Sequence, residues 1–348
     1  MKLKICFLKD EHEKLYEKFI IKNTNGLIYH SINYKKFLSK SLDSTIDKYI
    51  IALRENKIIA SLPCFIKISD NGNVLNSLPF FGSHGSLIGF EQLNKTELDS
   101  VFIKFKSLIN TYNIQSYTIV DNYKNNNSSI LNKYFEFNKV EKRVSQITDL
   151  SNFTKNNIND NLLNHFDGKR RTDIKKGNKN NFEYLIDNSL NSLKHLFQIH
   201  VENIRALGGI SKEWKIFQNL SDIFIKNKQC NIFTVKEKGK IICSLLLIYY
   251  KDTVYYFIPA VLNEYKSTSV MSSNIFWAMK DSIRRGYAYW DWGGSWLNQG
   301  SLIKFKSSWK SINTEYNYYI KYSKRINNYN KSDILKDYPY FYVKPFND

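Results

Sequence analysis

The stretch Gly286-Tyr-Ala-Tyr-Trp-Asp-Trp-Gly-Gly-Ser-Trp-Leu-Asn-Gln-Gly-Ser-Leu-Ile-Lys-Phe-Lys-Ser-Ser-Trp-Lys310 decides how this 348-residue chain is read. It predicts a short aromatic strand over 287–292, stopped by Gly293-Gly294, then a loop and a helix of about two turns from Ser301. On that helix Leu302, Phe305, Lys306 and Trp309 share one face by their i, i+3, i+4, i+7 spacing. Lys304, Ser307 and Lys310 point elsewhere, toward solvent. A lysine on an apolar face has two readings. Its stem lies over Trp309 while the amine reaches water, or the amine is a cation set beside the strand end.

Outward from this stretch the elements alternate. Upstream the pattern predicts a strand over 182–186 and a helix over 189–207. A helix over 211–226 follows, with Ser211 as N-cap and Trp214 at its third position. A hairpin 230–236/240–250 turns about Lys238-Gly239. A strand over 253–259 comes next, then a helix over 268–285 with Met271, Ile275, Ala278 and Met279 inward. Downstream lies a strand over 314–322. The first half gives a strand over 3–8 and helices over 10–21, N-capped by Asp10, and 33–40. A hairpin 48–53/57–68 follows, with a strand over 74–79 and the glycine-punctuated loop 80–89. Beyond it come a helix over 93–112, a strand over 114–120, a helix over 128–135 and a strand over 140–149. Each half therefore reads β-α-α-β-β-β-α-β-α-β. This is an α/β chain with a mixed α+β sheet, built from an internal repeat of elements. The expected division is 1–150 and 182–324, joined by a basic linker over 151–181 and followed by a tail over 325–348.

Composition narrows the classes. Fourteen glycines and five prolines exclude collagen-like and low-complexity architecture. Fifty-one Lys and Arg against thirty-two Asp and Glu leave a net charge of +19, which suits a polyanionic partner. Much of that excess belongs to a background rich in lysine, asparagine and isoleucine. Cys6, Cys64, Cys230 and Cys243 form no Cys-x-x-Cys pair and sit in apolar runs, as in a reduced, cytoplasmic protein without a disulfide framework or metal site. The apolar run 5–8 is too short for a signal peptide. The run 241–250 is about half a membrane span.

Three motifs carry a resemblance to a known family. They are Leu196-Phe-Gln-Ile-His-Val-Glu-Asn-Ile-Arg-Ala-Leu-Gly-Gly209, Trp290-Asp-Trp-Gly-Gly294 and Ile303-Lys-Phe-Lys-Ser-Ser-Trp309. In order and spacing the second half resembles the tandem-GNAT proteins that include Fem-type peptidoglycan aminoacyltransferases and BioF-like acyltransferases. The resemblance implies two tandem GNAT-like domains, acceptor side first and donor side second. It implies no tightly bound cofactor, but an acyl donor as co-substrate, acyl-CoA or aminoacyl-tRNA. The implied acceptor is a small or lipid-linked phosphorylated molecule, with tRNA and a membrane surface as further partners. The run Lys169-Arg-Arg-Thr-Asp-Ile-Lys-Lys176 sits where the family has an Arg-rich helix, so Lys169, Arg170 and Arg171 are expected on substrate phosphates. One departure is plain. The position of the CoA phosphate loop reads Val261-Leu-Asn-Glu-Tyr-Lys-Ser-Thr-Ser269 and holds no glycine.

Acyl transfer to an amine needs an aimed neutral amine, a stabilised oxyanion and exclusion of water. Lys306, Asp291 and Tyr256 are the expected catalytic set: Lys306 as cation near the oxyanion, Asp291 as orienting carboxylate or loop anchor, Tyr256 as the tyrosine facing the slot. His200, Arg205, His84, Trp292 and Gly293 are the expected substrate contacts. His200 also reads as a core histidine and His84 as a turn residue. The competing reading of the whole chain is a non-catalytic GNAT-like module that binds nucleic acid or polysaccharide.

Overall fold

The computed structural model describes residues 3–80, 83–125, 127–155 and 158–346. By contact the chain divides into Met1–Arg143 with Glu315–Asp348, and Val144–Thr314. The first unit runs β1 (Lys4–Phe7), α1 (Glu13–Lys22), α2 (Ile32–Ser41), β2 (Thr45–Asp47), β3 (Ile50–Arg54), β4 (Lys57–Leu62), β5 (Phe65–Lys67), β6 (Asn73–Asn76), α3 (Lys95–Thr111), β7 (Ile114–Val120) and α4 (Ser128–Tyr134). Asp10, expected as an N-cap, lies in a 3-10 turn ahead of α1. The expected single run 57–68 is two strands, because Pro63 lacks the N–H that a ladder needs. β1, β3 and β4 form a small antiparallel sheet, while β2, β5, β6 and β7 are neighbours in a second one. Asn94 caps α3 and Glu97 closes the capping box. Phe102, Phe105, Leu108, Leu131 and Phe135 pack in the core beneath.

The second unit holds the end of β8 (Lys139–Asp149), then α5 (Ile158–His165), α6 (Gly168–Asn178), β9 (Glu183–Ile186), α7 (Leu190–Ala206), α8 (Trp214–Leu220), β10 (Cys230–Glu237), β11 (Lys240–Tyr250), β12 (Thr253–Val261), α9 (Val270–Arg284), β13 (Tyr289–Trp296), α10 (Gly300–Ser307) and the start of β14 (Ser311–Tyr322). Its strand order is β8-β13-β12-β11-β10-β9. Two-residue turns with both residues at positive φ set hairpin register in both units: Glu55-Asn56 at 51° and 58°, Lys238-Gly239 at 48° and 80°. Such turns match the right-handed twist of the flanking strands. Ser189 caps α7, its side chain accepting from Ser192 N–H. α8 begins at Trp214 after Glu213, not at Ser211, and continues as a π-turn to Ile225.

Two parts of the expected division change. The basic stretch is no linker, since α6 packs on α9 within the second unit. Gly177 makes that possible: a Cβ there would lie 2.5 Å from Ser273 Oγ and 2.8 Å from Ser269 O. Gly177→Val is expected to lower stability by roughly 1–3 kcal/mol, read as a drop in the melting midpoint. The second change is at the C-terminal end, where residues 315–348, with α11 (Lys324–Asn327) and α12 (Lys331–Asp337), belong to the first unit. There Asn76 pairs with the Tyr342 backbone through both its amide atoms, each at 2.8 Å, and Ser116 Oγ donates to Val343 O at 2.6 Å.

Candidate active site

The parallel ladder between β12 and β13 pairs Thr253 with Tyr289, Val254 with Trp290 and Tyr255 with Asp291. Beyond it β12 runs to Val261 and β13 to Trp296, with no further pair between them among the described residues. Against β11, Leu246 faces Ile258 and Leu247 faces Tyr256, so Phe257 is an extra residue. Such a bulge bends a strand and re-aims its side chains.

β13 does not stop at Trp292. It continues through the paired glycines as the sheet neighbour of β8, and two side chains hold the glycines' backbone. Gly293 takes φ +70°, with nothing within 4 Å of a Cβ built there, so glycine is used for conformation rather than space. Its N–H donates to Asp291 Oδ1 at 2.7 Å. From α10 the Lys306 ammonium donates to Gly293 O at 3.1 Å, Gly294 O at 3.3 Å and Ser295 Oγ at 2.8 Å. Lys306 is 4% exposed. Burial pushes its amine down to about 8, against the pull of Asp291 in the other direction. The apolar face expected on α10 is narrower than its spacing implies, for Leu302 is exposed while Lys306 and Trp309 are buried.

The wall behind is aromatic. Trp292 lies 5.0 Å from Tyr256 and 5.5 Å from Trp309, ring to ring. Its indole N–H donates to Thr148 Oγ1 at 2.9 Å, and Thr148 donates on to Trp309 O at 3.0 Å. Trp292 is thus a core residue with its polar group committed to β8, not an exposed substrate platform. Tyr256 is held neutral, its phenol raised by burial.

Arg170 is buried, with its guanidinium 4.6 Å from the Phe305 ring and 4.9 Å from that of Trp309. It donates to Ser308 Oγ, Ser272 Oγ and Asp173 Oδ2. Arg171 donates to the Asn164 and Phe166 carbonyls at the end of α5. Arg170 braces the unit from within, its Nε and Nη1 donors committed, whereas half-buried Arg171 bonds through Nη1 alone and keeps its Nε and Nη2 donors. Lys169 is exposed.

The remaining expected contacts separate. His200 is buried on α7, its Nε2 makes no hydrogen bond, and desolvation, with Lys212 nearby, pushes it down to about 4. Arg205 is exposed further along the same helix. His84 lies in the first unit and is likewise buried. Its Nδ1–H donates to Asp121 O at 2.8 Å, its Nε2 is unbonded, and burial lowers it to about 4. Phe81 and Gly82 of the expected glycine loop lie outside the described residues.

At the phosphate-loop position a 3-10 turn, Asn263–Thr268, leads into α9. Val270 N–H is taken by Thr268 Oγ1, and Ser272 and Ser273 N–H by Ser269 O. A helix start binds anions through such N–H groups, and here those of Val270, Ser272 and Ser273 are spent locally. Sequence reasoning did not single out Ser295, Thr148, Gln146 or Lys212. Gln146 donates to Ile303 O at 3.1 Å and to Ser307 Oγ at 3.1 Å, fixing α10 from β8. Only Ser295 had a local signal, as the residue that follows the paired glycines. Among the described residues no group of three His, Cys, Asp or Glu is arranged to hold a metal, and no helix is long and apolar enough to cross a membrane.

Residues 168–306 match the model of the acetyltransferase (GNAT) domain family. Among solved structures, FemX is similar over 91% of this chain and 97% of its own, at a TM-score of 0.72 and 13% identity. A tandem GNAT protein from the clavulanic acid biosynthesis pathway covers 92% and 98%, at 0.57 and 6%. The C-terminal domain of a putative lysylphosphatidylglycerol synthetase from Agrobacterium fabrum covers 93% and 96%, at 0.55 and 10%. No curated protein sequence matches the chain. At these identities the structural likeness speaks to fold. The chain is an α/β protein of the GNAT fold in a two-domain, tandem arrangement, and its second unit carries the matched acetyltransferase domain.

Proposed function

We propose that the protein transfers an acyl or aminoacyl group to an amine of a cell-envelope or surface-polysaccharide precursor, an amino sugar or a peptidoglycan stem peptide. The opening between β12 and β13 grips the donor. The observation that carries this reading is the Lys306 ammonium bonded to two successive carbonyls of β13. In a trans peptide the N–H points opposite to the C=O. Pinning Gly293 O and Gly294 O therefore aims the N–H groups of Gly294 and Ser295 to the other side of the strand. Two aimed donors with a buried cation behind them favour an acyl oxygen as it gains charge. Lys306 and Asp291 act as positioning residues, and Tyr256, neutral and beside Trp292, donates a hydrogen bond within the slot. The donor is acyl-CoA or an aminoacyl-tRNA. The α9 start favours a CoA bound by contacts other than the helix N-terminus, or no CoA at all.

The experiment is a donor screen. Acyl-CoA esters are set against aminoacyl-tRNAs, with nucleotide amino sugars and lipid-linked muropeptides as acceptors and product read by mass. A mass increment on one acceptor amine, insensitive to ribonuclease, assigns CoA; sensitivity to ribonuclease assigns tRNA. Exposed Lys169, Lys175, Lys176 and Lys179 on and just after α6 favour the second reading, a polyanion-binding module. Absence of product from every pair, with nucleic-acid binding that falls steeply with salt, would replace the transferase by that module.

A further inference from the structure

A cavity of about 510 Å³ lies within the first unit, between α1, the start of β4 and the short turn Phe90–Gln92. α1 is graded around its axis. Tyr16 and Ile20 face inward and are fully buried, Leu15 and Phe19 stand on the flank, and Lys14, Lys18 and Lys22 follow on the outside at i, i+4, i+8. Leu15, Lys18, Phe19 and Lys22 line the cavity, and β4 supplies Lys57 and buried Ile58 across from them. Gly89 brings in the third wall. Ser61 and Ile88 exchange backbone hydrogen bonds at 2.9 and 3.0 Å. Gly89, at φ +77°, then carries the chain so close to β4 that a Cβ would run into Ile59 O and sit 3.1 Å from the Phe19 ring. The cavity is therefore apolar at its back, where Phe19, Ile58 and a 39% exposed Leu15 meet, and cationic at its rim.

The rim lysines are uncommitted. On neighbouring α2, Lys35 pairs with Glu13 and Asp47, and Lys36 with Glu13. Lys18, Lys22 and Lys57 pair with no carboxylate among the described residues, although Glu91 lines the same cavity. Like charges four apart oppose helix formation, and an anion set between the ammonium groups relieves that opposition. Glu91 and the carbonyl end of α1 work against such an anion, but they are one carboxylate and a partial charge against three ammonium groups. We propose that this cavity binds a phosphate carried on a hydrocarbon chain, the phosphate between Lys18, Lys22 and Lys57 and the chain against Leu15, Phe19 and Ile58. A bare anion would leave Leu15 in water, and a neutral chain would leave the lysines unmatched. The volume is within the range of small-molecule sites. The site uses no residue assigned to acyl transfer. Its failure leaves the transferase reading untouched, and the reverse also holds.

The test is titration calorimetry on the full chain, without turnover, using octyl phosphate, neutral octyl glucoside and inorganic phosphate. Octyl phosphate is expected to bind about tenfold or more tightly than either of the others, because only it matches both the rim and the back wall. Lys18→Gln, Lys22→Gln and Lys57→Gln are each expected to weaken it about fivefold. Lys14→Gln, outside the cavity on the same helix, is expected to leave it unchanged. Leu15→Gln is expected to narrow the gap between octyl phosphate and inorganic phosphate. All these changes fall on exposed residues, so the variants fold. Co-sedimentation with vesicles of phosphatidylcholine, with and without phosphatidylglycerol, identifies the source. Vesicle binding lost in Lys18→Gln/Lys57→Gln and kept in Lys14→Gln assigns a membrane lipid; octyl phosphate binding without vesicle binding assigns a soluble phosphorylated amphiphile. No binding of octyl phosphate, equal affinity for it and either of the other probes, or a loss in Lys14→Gln as large as in Lys18→Gln overturns the site.

Discussion

Lys306→Met is expected to lower kcat by roughly 10²–10³ with little change in KM, because it removes the cation and frees the two carbonyls that set the β13 backbone. The same change leaves Gly293 O, Gly294 O and Ser295 Oγ short of a donor. A stability loss of about 1–3 kcal/mol therefore accompanies it, and rates must be compared well below the variant's melting point. A pH profile separates the cation from mere packing. The amine is lowered to about 8 in the folded chain, from an ordinary 10.5. Below about 8 it is charged in both states, and burial of that charge opposes folding in full. Between about 8 and 10.5 the unfolded chain binds more protons, so this contribution to stability rises with pH and the opposition is gone above 10.5. Activity runs the other way: wild-type kcat is expected to fall as pH passes through about 8, while Lys306→Met lacks that limb. A variant with full kcat and an unchanged alkaline limb would remove Lys306 from the mechanism.

Trp309→Ala is expected to cost about 3–5 kcal/mol in urea unfolding, the range for emptying a large aromatic site in a packed interior. Trp309 is fully buried, with its ring 5.0 Å from Phe166, 5.5 Å from Trp292 and 4.9 Å from the Arg170 guanidinium. Its removal empties the centre of the wall behind β13 and strips an aromatic face from a buried cation. Trp309→Phe is the control. The indole N–H has no hydrogen-bond partner, so phenylalanine forfeits ring area but no polar contact, and less than half of the alanine cost is expected. Equal losses for the two variants would mean that the site needs the whole indole and gains nothing from a smaller ring.

Much of the architecture is legible in side-chain pattern. β11 is legible to the residue from its apolar run and the Lys238-Gly239 turn, and α7 from its stripe. The errors share a cause. Paired glycines read as a strand end, yet β13 passes through them beside β8, with Lys306 and Asp291, remote or offset in sequence, holding their backbone groups. A one-dimensional pattern records which side chains are apolar, and not which carbonyl an amine will find. The face of α10 showed that Lys306 is unusual; its partners, two of them backbone atoms, have no signature of their own. Likewise Arg170 reads as a phosphate contact because charge density is visible and the hydroxyls that occupy it are not. The return of 315–348 to the first unit has no apolar signature, because that segment is polar and is tied down by Asn76 and Ser116.

The turn from Trp296 to Gln299 closes on itself, with each residue's N–H bonded to an oxygen of the other. Strand, turn and pinning amine are therefore one uninterrupted ribbon, and the match between amine and carbonyls is a matter of counting residues. Relatives that keep this grip are free to exchange side chains within the turn, but adding or dropping a single residue would offer the amine a different peptide group. Drift in this ribbon should run through spelling and spare its length.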